Sequence, residues 1–231
     1  MKEPGDFSHV TGVLFDIDGT LVDTSYLHTV AWWEALRQSQ IHVPMANIHR
    51  SIGMGSDRIL NHLLGEDHDT TNDNKIVAAH SSLYSVYWER LSPLPGASEL
   101  LHTCADRGLR VVLASSASAT DLAALRRALD ADTAITQVTS SADVDVSKPA
   151  PEILEVALER SGLRAGNVVF VGDSVWDVAA ALKLDMPCIG LTCGGTSAAE
   201  LLDAGAVETF DDPAQLLKSL DSSTIGTLMP G

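Results

Sequence analysis

Short runs of branched apolar residues recur along this chain, separated by amphipathic segments of helical length, and that alternation restricts its fold more than any other feature. Val10 to Phe15, Leu109 to Ala114, Val168 to Val171 and Cys188 to Leu191 show little polar alternation, as strands buried on both faces do. Ile135 to Val138 and Ala206 to Phe210 are weaker candidates. Ser98 to Arg107, Thr120 to Leu129, Pro151 to Ser161 and Val175 to Leu184 carry apolar residues at helical spacing. Strand and helix in turn predict an α/β fold, a Rossmann-like parallel sheet with helices on both faces.

One region departs from the alternation. Residues 25–93 contain no convincing strand, and the periodicity instead predicts helices over Tyr26 to Ser39, Ser56 to Leu64 and Asn74 to Arg90. The expectation is an all-α cap inserted at 25–93 into a core built from 1–24 and 94–231. Its downstream edge is the turn composition Ser92-Pro93-Leu94-Pro95-Gly96. The tail from Ser222 to Gly231 reads as loose.

Composition narrows the partners. A formal net charge of −16 over 231 residues repels phosphate backbones and anionic headgroups, and no basic run offsets it, so neither nucleic acid nor a membrane surface is expected as a partner. No apolar stretch has the length of a membrane span and no leader pattern is readable, which predicts a soluble cytoplasmic protein, a monomer or weak homodimer. Cys104, Cys188 and Cys193 match no disulfide framework or zinc spacing, and His62 with His68 do not fall at i, i+4. They read as reduced thiols and unrelated imidazoles.

The chemistry-bearing residues cluster at strand exits. The first strand ends in Phe15-Asp16-Ile17-Asp18-Gly19-Thr20, two carboxylates where a parallel sheet opens its functional edge. Such a pair suits phosphoryl chemistry: one carboxylate, Asp16, ionised to attack phosphorus, and the other, Asp18, kept protonated to supply the leaving oxygen. The next core strand exits through Ser115 and Ser116, whose hydroxyls and amides can hold phosphate oxygens, although serine-rich exits are also ordinary turns. Lys148, in Ser147-Lys148-Pro149, precedes a helix and should project from the same rim. Gly172-Asp173-Ser174-Val175-Trp176-Asp177 places two carboxylates at i, i+4 near a helix start, an arrangement that equally serves helix capping.

Charge decides what these pieces need together. Asp16, Asp18, Asp173 and Asp177 face a phosphate dianion with Lys148 as the opposing cation, and like charges 4 Å apart cost about 4 kcal/mol per pair at an effective dielectric of 20. A divalent cation is required, and oxygen-only ligation selects Mg²⁺ over zinc.

In their order, Asp16-x-Asp18-Gly19-Thr20, Ser115, Lys148-Pro149 and Gly172-Asp173-x-x-x-Asp177 resemble the four motifs of the haloacid dehalogenase superfamily, in its branch with an inserted helical cap that contains phosphoglycolate phosphatases and β-phosphoglucomutases. The resemblance implies a Mg²⁺-dependent phosphatase acting on a small phosphorylated metabolite. By it Asp16 forms an aspartyl phosphate and Asp18 is acid then base. Ser115 and Lys148 hold the phosphate. Mg²⁺ is bound by Asp16, the main-chain carbonyl of Asp18 and Asp173, with Asp177 direct or through water. In the cap, His28 and Trp32 at i, i+4 resemble the β-phosphoglucomutase cap helix, and the segment from Arg50 through Gly53 to Arg58 reads as a substrate loop. The mutase pattern has an arginine near the position of Ser56, so hydrolysis is expected over phosphoryl transfer. Asp18 argues against dehalogenation. Lys75, the lysine of the insertion, has no motif to mark it as the Schiff-base lysine of a phosphonatase.

Two readings of other classes remain. Gly172-Asp173-Ser174 superficially resembles a lipase/esterase signature with Ser174 as nucleophile, but no histidine can be assigned as its base. A catalytically silent phosphate-binding module on the same fold is the other, against which the intact Asp16, Asp18, Lys148 and Asp173 stand.

Overall fold

A computed structural model describes residues 10–143 and 147–229. Six strands, β1 (Gly12–Phe15), β2 (Arg110–Ala114), β3 (Gln137–Thr139), β4 (Val168–Gly172), β5 (Cys188–Leu191) and β6 (Glu208–Phe210), form one sheet in the order β3-β2-β1-β4-β5-β6. Every neighbouring pair is parallel, with β1 central between β2 and β4. The strand order reverses at β1 and β4, the position where open α/β sheets bind their ligands.

Side-chain alternation explains why these segments are strands buried on both faces. Val13, Phe15, Val111, Leu113, Val169, Val171, Ile189 and Leu191 point into one apolar layer, while Leu14, Val112, Ala114, Phe170 and Cys188 point into the other. The first layer is covered by α5 (Ala97–Asp106), α6 (Ala119–Leu129) and α10 (Pro213–Lys218). The second is covered by α7 (Glu152–Ser161), α8 (Val175–Leu182) and α9 (Ala198–Ala204). Each fully buried leucine or phenylalanine in these layers is worth about 1.5–3 kcal/mol.

Between β1 and α5 the chain forms α1 (Ser25–Gln38), α2 (Met45–Ser51), α3 (Ser56–Leu64) and α4 (Asp73–Ser85). They enclose a third apolar cluster of their own, including Trp32, Leu36, Ile48, Ile59 and Ile76. No strand of the sheet comes from this stretch. No helix among the described residues is long and apolar enough to cross a membrane.

Several sequence expectations need correction. The helix expected over Asn74 to Arg90 stops at Ser85, and Trp88–Arg90 form a separate 3₁₀ turn. Strand ends contract, so the run from Ile135 yields β3 only at Gln137–Thr139. The short helices α2, α9 and α10, of six or seven residues, carry too few turns to show a period. The tail is packed rather than loose as far as Met229: Thr224–Leu228 form a 3₁₀ helix, Ile225 is fully buried, and Leu228 and Met229 lie on the first apolar layer. Residues 230–231 of that expectation lie outside the described residues.

Candidate active site

Asp16 follows β1 directly, and its amide donates to the carbonyl of Val171 at 2.9 Å, continuing the ladder one residue beyond the strand. Asp173 follows β4, so the sheet register sets the two carboxylates side by side. Thr20, carried back by the turn at Gly19, has its hydroxyl 3.0 Å from Asp173 Oδ1 and 3.3 Å from Asp16 Oδ2. Asp177 stands in the first turn of α8, where its Oδ2 accepts from the Ser174 amide at 3.1 Å and the Ser174 hydroxyl at 2.7 Å. That reciprocal box stabilises the helix start. It also ties down the Ser174 hydroxyl, so the esterase reading loses its free nucleophile.

Lys148 departs from the sequence reading. Its side chain has no exposed surface and does not project from a rim. Its ammonium donates to Asp16 Oδ1 and, at 2.8 Å, to Asp177 Oδ1, above the ring of Phe170. Burial alone would lower its pKa, but Asp16 and Asp177 overcome that and hold it above its ordinary value.

Asp16, Asp173 and Asp177, all buried, each bring a carboxylate oxygen within 4.8 Å of the others. Burial, followed by the charges of Asp177 and Asp18, pushes Asp16 up to about 7 against the opposing pull of Lys148. Asp173 is raised well above the usual carboxylate range by burial and by the charges of Asp177 and Asp16. Three buried carboxylates against one ammonium leave an excess of negative charge, and their hard oxygen donors fit a Mg²⁺-type ion. Asp177 has both oxygens engaged, by Lys148 and Ser174, and Asp16 has both engaged, by Lys148 and Thr20, whereas Asp173 Oδ2 meets the Ser25 hydroxyl only at 3.5 Å and is the freest donor of the three.

At Asp18 burial raises the pKa, but hydrogen bonds from His28 and Thr24 and the nearby charges of His28 and Lys148 outweigh it and hold the carboxyl below its ordinary value, opposite to the raised value a resident acid calls for. Thr24 donates to Asp18 Oδ1 at 2.8 Å, and His28 Nε2 lies 3.2 Å from the same oxygen. Behind His28 stands His80 of α4, with Nε2 3.2 Å from His28 Nδ1. Burial, then the neighbouring His28, keeps His80 well below the ordinary imidazole pKa. Its ring stacks on Trp32, with centroids 4.1 Å apart.

A cavity of about 110 Å³ joins these groups, bounded by Asp16 and Asp18 on one side and by His28, Trp32, Gly53 and His80 on the other. Ser116 lines it with a buried hydroxyl that finds no partner among the described residues. Ser115 lies behind: its hydroxyl accepts from the Ala117 amide at 3.0 Å and is fully buried. Gly53 has φ +102°, and a Cβ there would stand 2.5 Å from the Ser174 hydroxyl, so the loop approaches α8 as closely as it does only with glycine. Arg50 is not brought to the cavity. Its exposed guanidinium pairs with Glu200 of α9, and its carbonyl accepts from Trp176 Nε1 at 2.9 Å.

Sequence reasoning missed His80, Thr24 and Asp121. His80 does carry a signal, since it interrupts the buried stripe Ile76, His80, Tyr84 of α4. Asp121 reaches the cavity from the start of α6, and nothing in its spacing sets it apart from a capping acid.

Comparison with known proteins assigns the family. The family model described as haloacid dehalogenase-like hydrolase matches residues 10–185. The chain belongs to the haloacid dehalogenase-like hydrolases. It is 32% identical over 197 residues to a phosphoglycolate phosphatase from Yersinia pestis, covering 81% of this chain and 83% of that one. A hydrolase from Pseudomonas syringae superposes with a TM-score of 0.87 at 32% identity, covering 92% of this chain and 98% of the other. A β-phosphoglucomutase from Clostridium difficile shares the fold at 18% identity, with a TM-score of 0.79 over 92% of this chain and 96% of its own. The α/β architecture inferred from the sequence is therefore that of this hydrolase family, and the chain is an enzyme of it.

Proposed function

We propose that this enzyme is a Mg²⁺-dependent phosphomonoesterase acting on a small phosphorylated metabolite of the phosphoglycolate or sugar-phosphate type. The observation that carries the reading is the division of labour at the end of β1. Asp16 is buried with one oxygen on Lys148, while Asp18, two residues on, faces the same cavity held by Thr24 and His28.

In this reading the carboxylate of Asp16 attacks phosphorus, the ester P–O bond breaks, and the leaving oxygen takes its proton from Asp18, giving an alcohol and an aspartyl phosphate. Asp18, now ionised, takes a proton from water, whose oxygen attacks the same phosphorus and releases Asp16 and inorganic phosphate. The entering dianion raises the proton affinity of Asp18, which takes up from solvent the proton it gives to the leaving oxygen. Lys148 opposes the burial that raises Asp16, favouring its attacking carboxylate form, and neutralises the phosphoryl oxygens. Ser115, Ser116 and the amides beside them would hold those oxygens. Asp16, the Asp18 carbonyl and Asp173, with Asp177 behind Lys148, would hold Mg²⁺, which supplies charge neutralisation at the transferring phosphoryl group. Residues 25–93 serve as the cap, closing over the cavity to exclude water during the first step.

A screen of phosphate monoesters with and without Mg²⁺ tests this. Hydrolysis that requires Mg²⁺ and disappears in Asp16→Asn supports it, and substantial activity in that variant refutes the nucleophile assignment. Phosphoryl transfer within a sugar phosphate gains nothing from the structure, because a second, non-reacting phosphate would find no lysine or arginine in the cavity wall among the described residues.

A further inference from the structure

Beyond the phosphoryl site, the cavity wall contains no cationic side chain among the described residues other than the imidazoles of His28 and His80. Lys148 is sealed between Asp16 and Asp177. Arg50 turns outward to Glu200, and Arg58 borders a separate cleft with Asp57 and Pro149. His28 is committed to Asp18 and His80, while buried His80 is kept neutral.

The wall does contain hydroxyls whose protons are already spent. Ser81 donates to the carbonyl of Val77 at 3.1 Å, Ser141 to that of Ala117 at 3.0 Å, and Ser118 to Asp121 Oδ2 at 2.5 Å. All three line the cavity, so what they present to it is acceptor oxygen. Asp121 lines it too, adding a carboxylate whose other oxygen accepts from Trp88 Nε1 at 3.1 Å. Together Ser81, Ser118, Ser141 and Asp121 form a patch of acceptors that recognises a donor.

We propose that the alcohol released from the ester is uncharged and hydroxylated, so that monophosphates of polyols or sugars are taken and esters with a second anionic group, phosphoglycolate included, are rejected. This rests on the phosphatase reading above and narrows it. A carboxylate on the leaving group is acceptor-only and would be desolvated beside Asp18 and Asp121 with no cation to offset it. A hydroxyl at the same place donates to Ser81, Ser118 or Ser141.

The matched pair 2-hydroxyethyl phosphate and phosphoglycolate differs only in a terminal CH₂OH against COO⁻. With Mg²⁺ present, kcat/KM for 2-hydroxyethyl phosphate exceeds that for phosphoglycolate by at least about tenfold. Placing a cation in the wall, by Ser56→Arg or by Ser81→Lys on the exposed face of α4, raises the phosphoglycolate to 2-hydroxyethyl phosphate ratio by at least about tenfold, and this change of ratio cancels the intrinsic reactivities of the two esters. Equal or better use of phosphoglycolate by the unmodified enzyme, or a ratio unmoved in folded samples of both variants, overturns the inference. p-Nitrophenyl phosphate separates the two levels: if it is hydrolysed while phosphoglycolate is preferred, the inference alone falls, and if no ester is hydrolysed, the phosphatase reading falls with it.

Discussion

Nε2 of His28 lies 3.2 Å from Oδ1 of Asp18, while Nδ1 of the same ring lies 3.2 Å from Nε2 of His80. His28 bridges the two groups: its Nε2 donates to Asp18, and its Nδ1 meets Nε2 of His80. Helices α1 and α4 thus reach Asp18 through two rings stacked against Trp32 and Tyr84.

Removing that contact tests the acid role of Asp18. The His28 bond favours ionised Asp18, so His28→Ala raises the Asp18 pKa and moves the alkaline limb of the pH profile of kcat/KM for glycerol 3-phosphate upward. The profile for p-nitrophenyl phosphate, whose leaving group departs without a proton, does not move in this way. Identical profiles of parent and variant with glycerol 3-phosphate would assign His28 to packing alone.

Stability should depend on pH in a direction fixed by Asp16. Its carboxyl rises from 3.8 to about 7 on folding, so the folded protein binds the extra proton. The linked stabilisation is fully present below pH about 4 and is lost as the pH rises through about 7; Asp173, also raised, adds in the same sense. Thermal melts of chelated protein therefore show Asp16 and Asp173 working against stability across that window. Mg²⁺, competing with these protons, raises Tm more at pH 8 than at pH 5. An equal rise at both values would contradict a site formed by these two carboxylates.

Gly194 packs its backbone against Asp173, and a Cβ there would overlap Oδ2. Gly194→Ala must displace that carboxylate, and the half-saturating Mg²⁺ concentration for hydrolysis rises by about tenfold or more, the scale seen when groups supporting a metal ligand are altered. An unchanged Mg²⁺ requirement in a folded variant would remove Asp173 from the ion.

Arg50→Ala should do little. Its ion pair with Glu200 is exposed, and such pairs contribute about 0–1 kcal/mol. KM for glycerol 3-phosphate stays within about twofold of the parent enzyme, since nothing of Arg50 but its backbone supports the loop. A large rise in KM would return Arg50 to the substrate.

These contrasts show what was legible in the sequence. Asp16 and Asp173 could be read because each sits directly after a strand whose every residue is apolar, and parallel register then brings the two ends together. Sequence order could not show that Lys148 is buried, because its surroundings come from β4 and α8 after it in the chain and from Asp16 far before it. His80 is 52 residues from His28 and meets it only because α4 packs across α1. Arg50 looked like a substrate contact from its place in a glycine-bearing loop, yet the direction of its side chain is set by Glu200, supplied by a helix too short to show a period. The tail looked loose, whereas Ile225 is fully buried and Leu228 and Met229 pack on the first apolar layer beside it.

The most direct test of the account is chemical trapping at Asp16. Asp18→Asn should still accept a phosphoryl group from p-nitrophenyl phosphate with Mg²⁺, but lacks the base for the second step, so the acyl phosphate accumulates. Acid quenching and borohydride reduction then convert that residue to homoserine, located by mass spectrometry of the peptides. The account predicts homoserine at position 16. Reduction at another carboxylate, or at none while the variant still releases a stoichiometric burst of p-nitrophenol, would contradict it.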